Sequence, residues 1–134
     1  MFDKRDTQPT SRFPIAIIGI GCRLPGGIKD TNSFWRFLTE QKDAVKEITS
    51  DRWSISKFYH PEKGIPGKTY SKWAGLLDEI DQFDPEAFGI SPREAPHMDP
   101  QQRLLLEVAW DAIEDAGQVL EDLSGSRTSV HIGI

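Results

Sequence analysis

An α/β fold is predicted by three features of this sequence. Ile15 to Ile20 is a compact β-branched run, interrupted by Ala16 and Gly19, and it reads as a strand buried on both faces, as in a parallel sheet. Asp99 to Ala116 carries the periodicity of a helix packed on more than one side. The closing "SVHIGI" begins a second strand. A chain of 134 residues is about one domain in size.

The elements follow in order. Residues 1–13 are charged, polar and short of apolar anchors, so a disordered lead-in is expected there, with the folded part over 14–134. After the first strand, Pro25, Gly26 and Gly27 impose a firm break. A helix is predicted to start after Asp30, whose carboxylate can accept from free N–H groups of the first turn. Phe34, Trp35 and Leu38 give it an apolar side, and it runs out near Lys42. Thr49 to Lys72 reads as irregular, punctuated by Pro61, Gly64, Pro66 and Gly67. Trp53, Phe58 and Tyr70 lie in that stretch, and such large rings pin a long loop onto a core. A short strand is expected at Trp73 to Leu76, then an acidic turn, a helical turn before Gly89 and another starting at Pro92.

The last helix is the clearest. Asp99 is the expected N-cap, Pro100 the first helical residue and Gln102 the third, a capping box, while Gly117 stands where a C-terminal glycine belongs. Leu105, Ala109, Ala112 and Ala116 form one apolar stripe, and Leu106, Trp110 and Ile113 a second. Arg103, Glu107, Asp111 and Glu114 form the polar one. The small alanines leave room for another backbone to come close.

Composition narrows the function. A net charge of −5, with no Lys/Arg cluster longer than two, argues against a nucleic-acid partner. The lone Cys22 cannot form an internal disulfide, which favours a reducing compartment. Residues 1–14 hold no apolar segment of signal-peptide length, and the run Ile15 to Ile18 is far short of a membrane span. A cytoplasmic location without a membrane partner is expected.

The stretch "IAIIGIGCRLPGG" opens like a dinucleotide-binding turn and then departs from one. A third Gly or Ala is needed three residues after Gly21, but Leu24 stands there and Pro25 follows it. Proline biases Leu24 away from helical geometry, so no helix begins where a pyrophosphate needs its amides. No cofactor is expected. Cys22 has neither a base nor a helix N-terminus assigned to it by sequence, and reads as a small buried thiol. His60, His97 and His131 share no metal-ligand spacing. The acidic run from Asp78 to Glu86 lacks an EF-hand pattern, since Phe83 and Gly89 occupy the positions that need Gly and Glu. Read residue by residue, the chain has no complete catalytic, cofactor or metal site.

Several segments, in order, resemble one family. They are "IAIIGIGCRLPGG", "SFWRFLTEQKDAV", "DRW", "GLLDEIDQFDPEAFGISPREAPHMDPQQRLLLEVAWDAIEDAG" and "SVHIGI". Together they look like the start of the β-ketoacyl synthase domain of modular type I polyketide synthases. The resemblance covers Pro14 to Ile134, about the first third of such a domain. It implies the amino-terminal portion of a thiolase-like fold, two related α/β halves in five layers. It also implies a homodimer in the full domain and an acyl carrier protein bearing phosphopantetheine thioesters as partner. The implied reaction is a decarboxylative Claisen condensation of an acyl thioester with a malonyl-type extender. The family's reactive cysteine lies in a "TACSS"-type motif and its two histidines later still. None of these motifs occurs here, so Cys22, His60, His97 and His131 inherit no catalytic role. By the same match, Leu105 and Leu106 could border the acyl pocket, or be ordinary core residues.

Three readings follow. In the first, the chain is the amino-terminal piece of a condensing enzyme, inactive alone and completed by the remainder of the synthase polypeptide. In the second, it is a non-catalytic interaction module that binds carrier protein or another synthase subunit. A nicotinamide-dependent oxidoreductase rests on Gly19 and Gly21 alone. The resemblance also leaves open the similar condensing domain of a multifunctional fatty acid synthase, although "MDPQQRLLLE" leans toward the polyketide enzymes.

Overall fold

The computed structural model describes residues 14–133, so the lead-in expected over 1–13 lies outside the described residues. Among them the order is α1 (Thr31–Thr39), β1 (Val45–Glu47), α2 (Ile55–Phe58), β2 (Trp73–Gly75), two 3₁₀ turns (Glu86–Phe88 and Ala95–His97), α3 (Pro100–Asp115) and α4 (Leu120–Leu123).

The α1 helix starts where Asp30 dictates. Its carboxylate accepts from the Ser33 N–H at 2.7 Å, and the Ser33 hydroxyl accepts from the Asp30 N–H at 3.1 Å, closing a reciprocal capping box. The Ser33 amide, helped by the Ser33 hydroxyl, holds the Asp30 carboxyl below its ordinary range. The helix ends at Thr39, short of the expected Lys42. Gln41 there takes a left-handed φ of 52°, so the Lys42 N–H can reach the Phe37 carbonyl and the Gln41 N–H the Leu38 carbonyl.

β1 and β2 pair antiparallel, with Val45 opposite Gly75 and Glu47 opposite Trp73. The loop between them folds back on itself. Tyr59 bridges to Thr69, Trp53 stacks on Phe58 at 5.6 Å, and Arg52 donates to the Leu77 carbonyl at 2.7 Å. The expected pinning of this loop is therefore local. Phe58 is half-buried but Tyr70 stays mostly in solvent.

α3 starts at Pro100 under an Asp99 cap, but the capping box does not close. The Asp99 carboxylate accepts from the Gln101 N–H at 2.8 Å, one residue earlier than the box requires. At the other end Gly117 has φ 62°, its N–H reaching the Glu114 carbonyl and the Gln118 N–H the Ile113 carbonyl, a Schellman end. Phe83, Phe88 and Trp110 make an aromatic chain, stacked at 5.3 Å and then edge-on at 5.8 Å, that fastens the acidic turn to α3.

The glycines of the opening run face this helix. A Cβ on Gly19 would stand 2.1 Å from the Ala112 carbonyl oxygen, and one on Gly21 would stand 2.2 Å from that of Val108. Backbone therefore lies directly on backbone, and the alanines of α3 make the approach possible. The Ile20 N–H adds a hydrogen bond to the Asp115 carboxylate at 2.9 Å.

The expected strands at Ile15 to Ile20 and from Ser129 onward pair with no strand among the described residues. Their side chains stand open: Ile15 is 93% exposed, Ile17 81% and Val130 78%. Ile28 and Ala95 are the buried apolar residues among the described residues. The accessible surface of 11696 Å² is far above the ~7,100 Å² expected of a compact 15.1 kDa protein. Both segments have strand sequences and no neighbouring strand here to satisfy them.

Substituting Gly19→Ala or Gly21→Ala is expected to destabilise the full-length polypeptide by about 1–3 kcal/mol or more, because the new methyl meets backbone that cannot step aside. Glu62→Ala, at an exposed loop position whose side chain makes no ion pair among the described residues, serves as the control and should leave the thermal midpoint unchanged. Equal midpoints for all three variants would refute the close contact.

Candidate functional site

Two concavities flank α3. The first, of about 370 Å³, lies at its amino end and is lined by Asp99, Gln101, Gln102, Leu105 and Gly133. α3 presents Leu105 here from its first two turns, and the closing segment contributes Gly133. Gln102 lines the hollow instead of completing the capping box. Leu105 is 37% exposed, while Leu106 on the adjoining stripe is half-buried. The walls combine an apolar side chain, two carboxamides and a capped carboxylate, with no nucleophile among them.

The second, of about 230 Å³, is lined by Arg23, Ala87, Phe88, Glu107, Trp110 and Asp111. Arg23 leaves the glycine run and meets the polar stripe of α3 at 2.6 Å from Glu107 and 3.9 Å from Asp111. The two carboxylates stand one helical turn apart, so one guanidinium can serve both. The Arg23 and Glu107 side chains are only 26% and 21% exposed, which strengthens the pair relative to an ordinary surface bridge. Trp110 donates its indole N–H to Glu114 at 2.8 Å. Sequence periodicity shows the acidic stripe, but nothing in it points to Arg23, 84 positions from Glu107.

No hydrogen bond joins Cys22 to a histidine or carboxylate among the described residues, and the thiol is half-buried. His60 accepts from the Glu62 N–H, His131 pairs with Ser129, and His97 closes a 3₁₀ turn. No group of three His, Cys, Asp or Glu side chains converges as a metal site among the described residues. The faces of Gly19 and Gly21, where a phosphate cradle would have to lie, are taken up by the helix backbone. No helix among the described residues is long and apolar enough to cross a membrane.

Set against known proteins, residues 12–134 match the β-ketoacyl synthase amino-terminal domain. The chain is 49% identical over 121 residues, 90% of its length, to a phenolphthiocerol/phthiocerol polyketide synthase of Mycobacterium tuberculosis, of which it spans 8%. It is equally, 49%, identical to the phthioceranic/hydroxyphthioceranic acid synthase of Mycobacterium bovis, spanning 6% of that protein. Among solved structures, an oxazolomycin ketosynthase domain of Streptomyces albus superposes with a TM-score of 0.74 at 44% identity, over 81% of this chain and 19% of that one. The ketosynthase from module 6 of the bacillaene synthase of Bacillus subtilis gives 0.71 at 37% identity, over 81% and 18%. The chain thus spans less than a tenth of the curated relatives' length and under a fifth of the ketosynthase structures. Those structures have the thiolase-like fold, of which this chain forms an amino-terminal part.

Arg23→Met is expected to lower stability by about 1 kcal/mol in denaturant unfolding, since it strands Glu107 beside Asp111. Glu107→Gln added to that variant should recover part of the loss. Strict additivity of the two substitutions would show that the pair is uncoupled.

Proposed function

This chain belongs to the β-ketoacyl synthase family, as an amino-terminal ketosynthase segment of the polyketide synthase kind, and from that premise we propose that the complete polypeptide carries out a decarboxylative Claisen condensation. In that reaction an acyl group resides as a thioester on a cysteine outside this chain. A malonyl-type extender held on acyl carrier protein loses CO₂, its carbanion attacks the acyl carbonyl, and the cysteine thiolate leaves. The product is a β-ketoacyl thioester on the carrier, longer by the extender's carbons less the one released as CO₂.

The observation that carries this reading is the match over 12–134 to the amino-terminal domain of these enzymes. The exposed isoleucines at 15, 17 and 18 agree with it, since strand segments of this composition are satisfied only inside a larger sheet. On this reading the 134 residues supply scaffold and not reacting groups. The glycine run and α3 form one wall, and Leu105 and Leu106 border the space that receives the acyl chain. The homodimer and the cytoplasmic location belong to the same proposal, supported by the family premise and by the single cysteine.

Purified alone, the 134-residue chain is expected to form no carbon–carbon bond from acyl and malonyl thioesters, and to bind a hydrophobic dye through its open strands. Condensation by these residues alone, followed as release of CO₂ with product mass, would overturn the reading. In the full-length polypeptide, Leu105→Trp should fill the hollow and lower kcat/KM for long acyl thioesters about tenfold or more while sparing short ones. An equal effect on all chain lengths would remove Leu105 from the acyl path.

A further inference from the structure

The seam between the glycine run and α3 sets how close the two elements come and leaves open how they slide. Gly19 and Gly21 lie on the carbonyls of Ala112 and Val108, with the Ala116 methyl against Gly19. A helix ordinarily fixes its placement on a neighbour by seating side-chain ridges in grooves. Glycine against alanine offers neither ridge nor groove, so depth is fixed here and register is not. Polar ties must supply the register.

Two such ties join the elements among the described residues. The Ile20 N–H donates to the Asp115 carboxylate at 2.9 Å, in the last turn of α3. Arg23 reaches Glu107 at 2.6 Å and Asp111 at 3.9 Å, around the middle of the helix. Glu107 directly follows Leu106 and stands two residues after Leu105, about 3 Å of rise along the axis. Of the two ties, this one holds the part of α3 that carries the leucines.

Arg23 is held there by charge. Its Nε is covered and has no hydrogen-bond partner among the described residues, although buried donors are normally paired. The guanidinium keeps that orientation while its terminal nitrogens face two carboxylates one helical turn apart. The side chain also borders the hollow of about 230 Å³, so it has room to move once the ion pair is lost. Both ends of the bridge belong to this chain, and covering it with the rest of the domain removes neither partner.

We propose that Arg23 is a positioning residue: by bracing Glu107 and Asp111 it sets the register of α3 on the glycine run, and with it where Leu105 and Leu106 stand along the acyl path. The inference rests on the proposed function, in which those leucines border the space for the acyl chain. It assigns selectivity for chain length to a residue that acts through the helix. A displacement of about 1 Å is enough to change a rate about a hundredfold. A long acyl chain runs along the whole wall and registers such a shift, whereas a short one meets only its near end. Lysine does not replace arginine here, because an ammonium is a point charge without the planar fork that spans two carboxylates.

The test measures kcat/KM of the full-length polypeptide for a long and a short straight-chain diffusible acyl thioester. Their ratio is the readout, since a loss of folded enzyme lowers both alike. Arg23→Lys should lower the long-to-short ratio about tenfold, and Glu107→Gln less, because Arg23 then keeps Asp111. Arg23→Glu combined with Glu107→Arg restores a bridge across the seam and should return the ratio to within about threefold of the parent. Leu105→Trp reports on the acyl path itself. If Leu105→Trp moves the ratio and neither Arg23→Lys nor Glu107→Gln does, the positioning role is overturned and the bridge is structural alone. A combined variant no better than Arg23→Glu by itself overturns it as well. If Leu105→Trp leaves the ratio unmoved, or the parent condenses neither thioester, the functional reading has failed and the inference falls with it.

Discussion

The contact on which the rest depends is backbone against backbone, where the glycine run lies along α3. Gly19 and Gly21 have no side chain between their main chain and the carbonyls of Ala112 and Val108, and Ala116 sits against Gly19 on the same line. Helix and extended segment rarely approach so closely, because one Cβ on either side holds them apart. Both partners are stripped at the same level: glycine on the segment, alanine on the helix. The Ile20 amide and the Arg23 guanidinium then fasten the two edges of the seam to Asp115 and Glu107. From this seam the Phe88–Trp110 contact holds the acidic turn, and the amino-terminal hollow takes its position.

What surrounds the seam explains why so little of this chain is buried. A strand of a parallel sheet covers both faces and both edges by neighbours. Here Ile15 to Ile20 receives α3 on one side, and its isoleucines stay open. In the oxazolomycin ketosynthase structure the matching residues make up 19% of a much longer chain. The large apolar surface is therefore the imprint of a sheet and not an error of packing. A local core does exist, and Ile28, one of two buried apolar residues among the described residues, is set by the turn that joins the Leu24 amide to the Ile28 carbonyl at 3.0 Å.

Local chemistry was legible in the sequence wherever both partners are close along the chain. Asp30, Asp99, Pro100 and Gly117 announced the ends of α1 and α3, and the breaks at Pro25 and Gly26 fell where expected. Even there the bonding differed: the reciprocal box formed at Asp30 with Ser33, and Asp99 made a single bond to Gln101. Gln41 ended α1 in a left-handed conformation that glycine more often supplies, so no residue type marked the stop. β1 escaped notice because Val45–Glu47 is three exposed residues, too short for a period. The seam was half legible: the small alanines of α3 left room for another backbone and Leu24–Pro25 excluded a phosphate turn, but nothing marked Gly19 and Gly21, some ninety positions away, as the backbone that fills that room.

Exposure in this molecule is of two kinds, and they imply different things. Isoleucines at 15, 17 and 18 stand in water against the hydrophobic effect, about 25 cal/mol for each Å² left open, so their faces demand permanent cover. Lys57, Lys63 and Lys68 stand in water at no such penalty and would lose hydration if covered. The first surface belongs to folding and is closed once. The second makes no such demand, because water already satisfies a solvated ammonium.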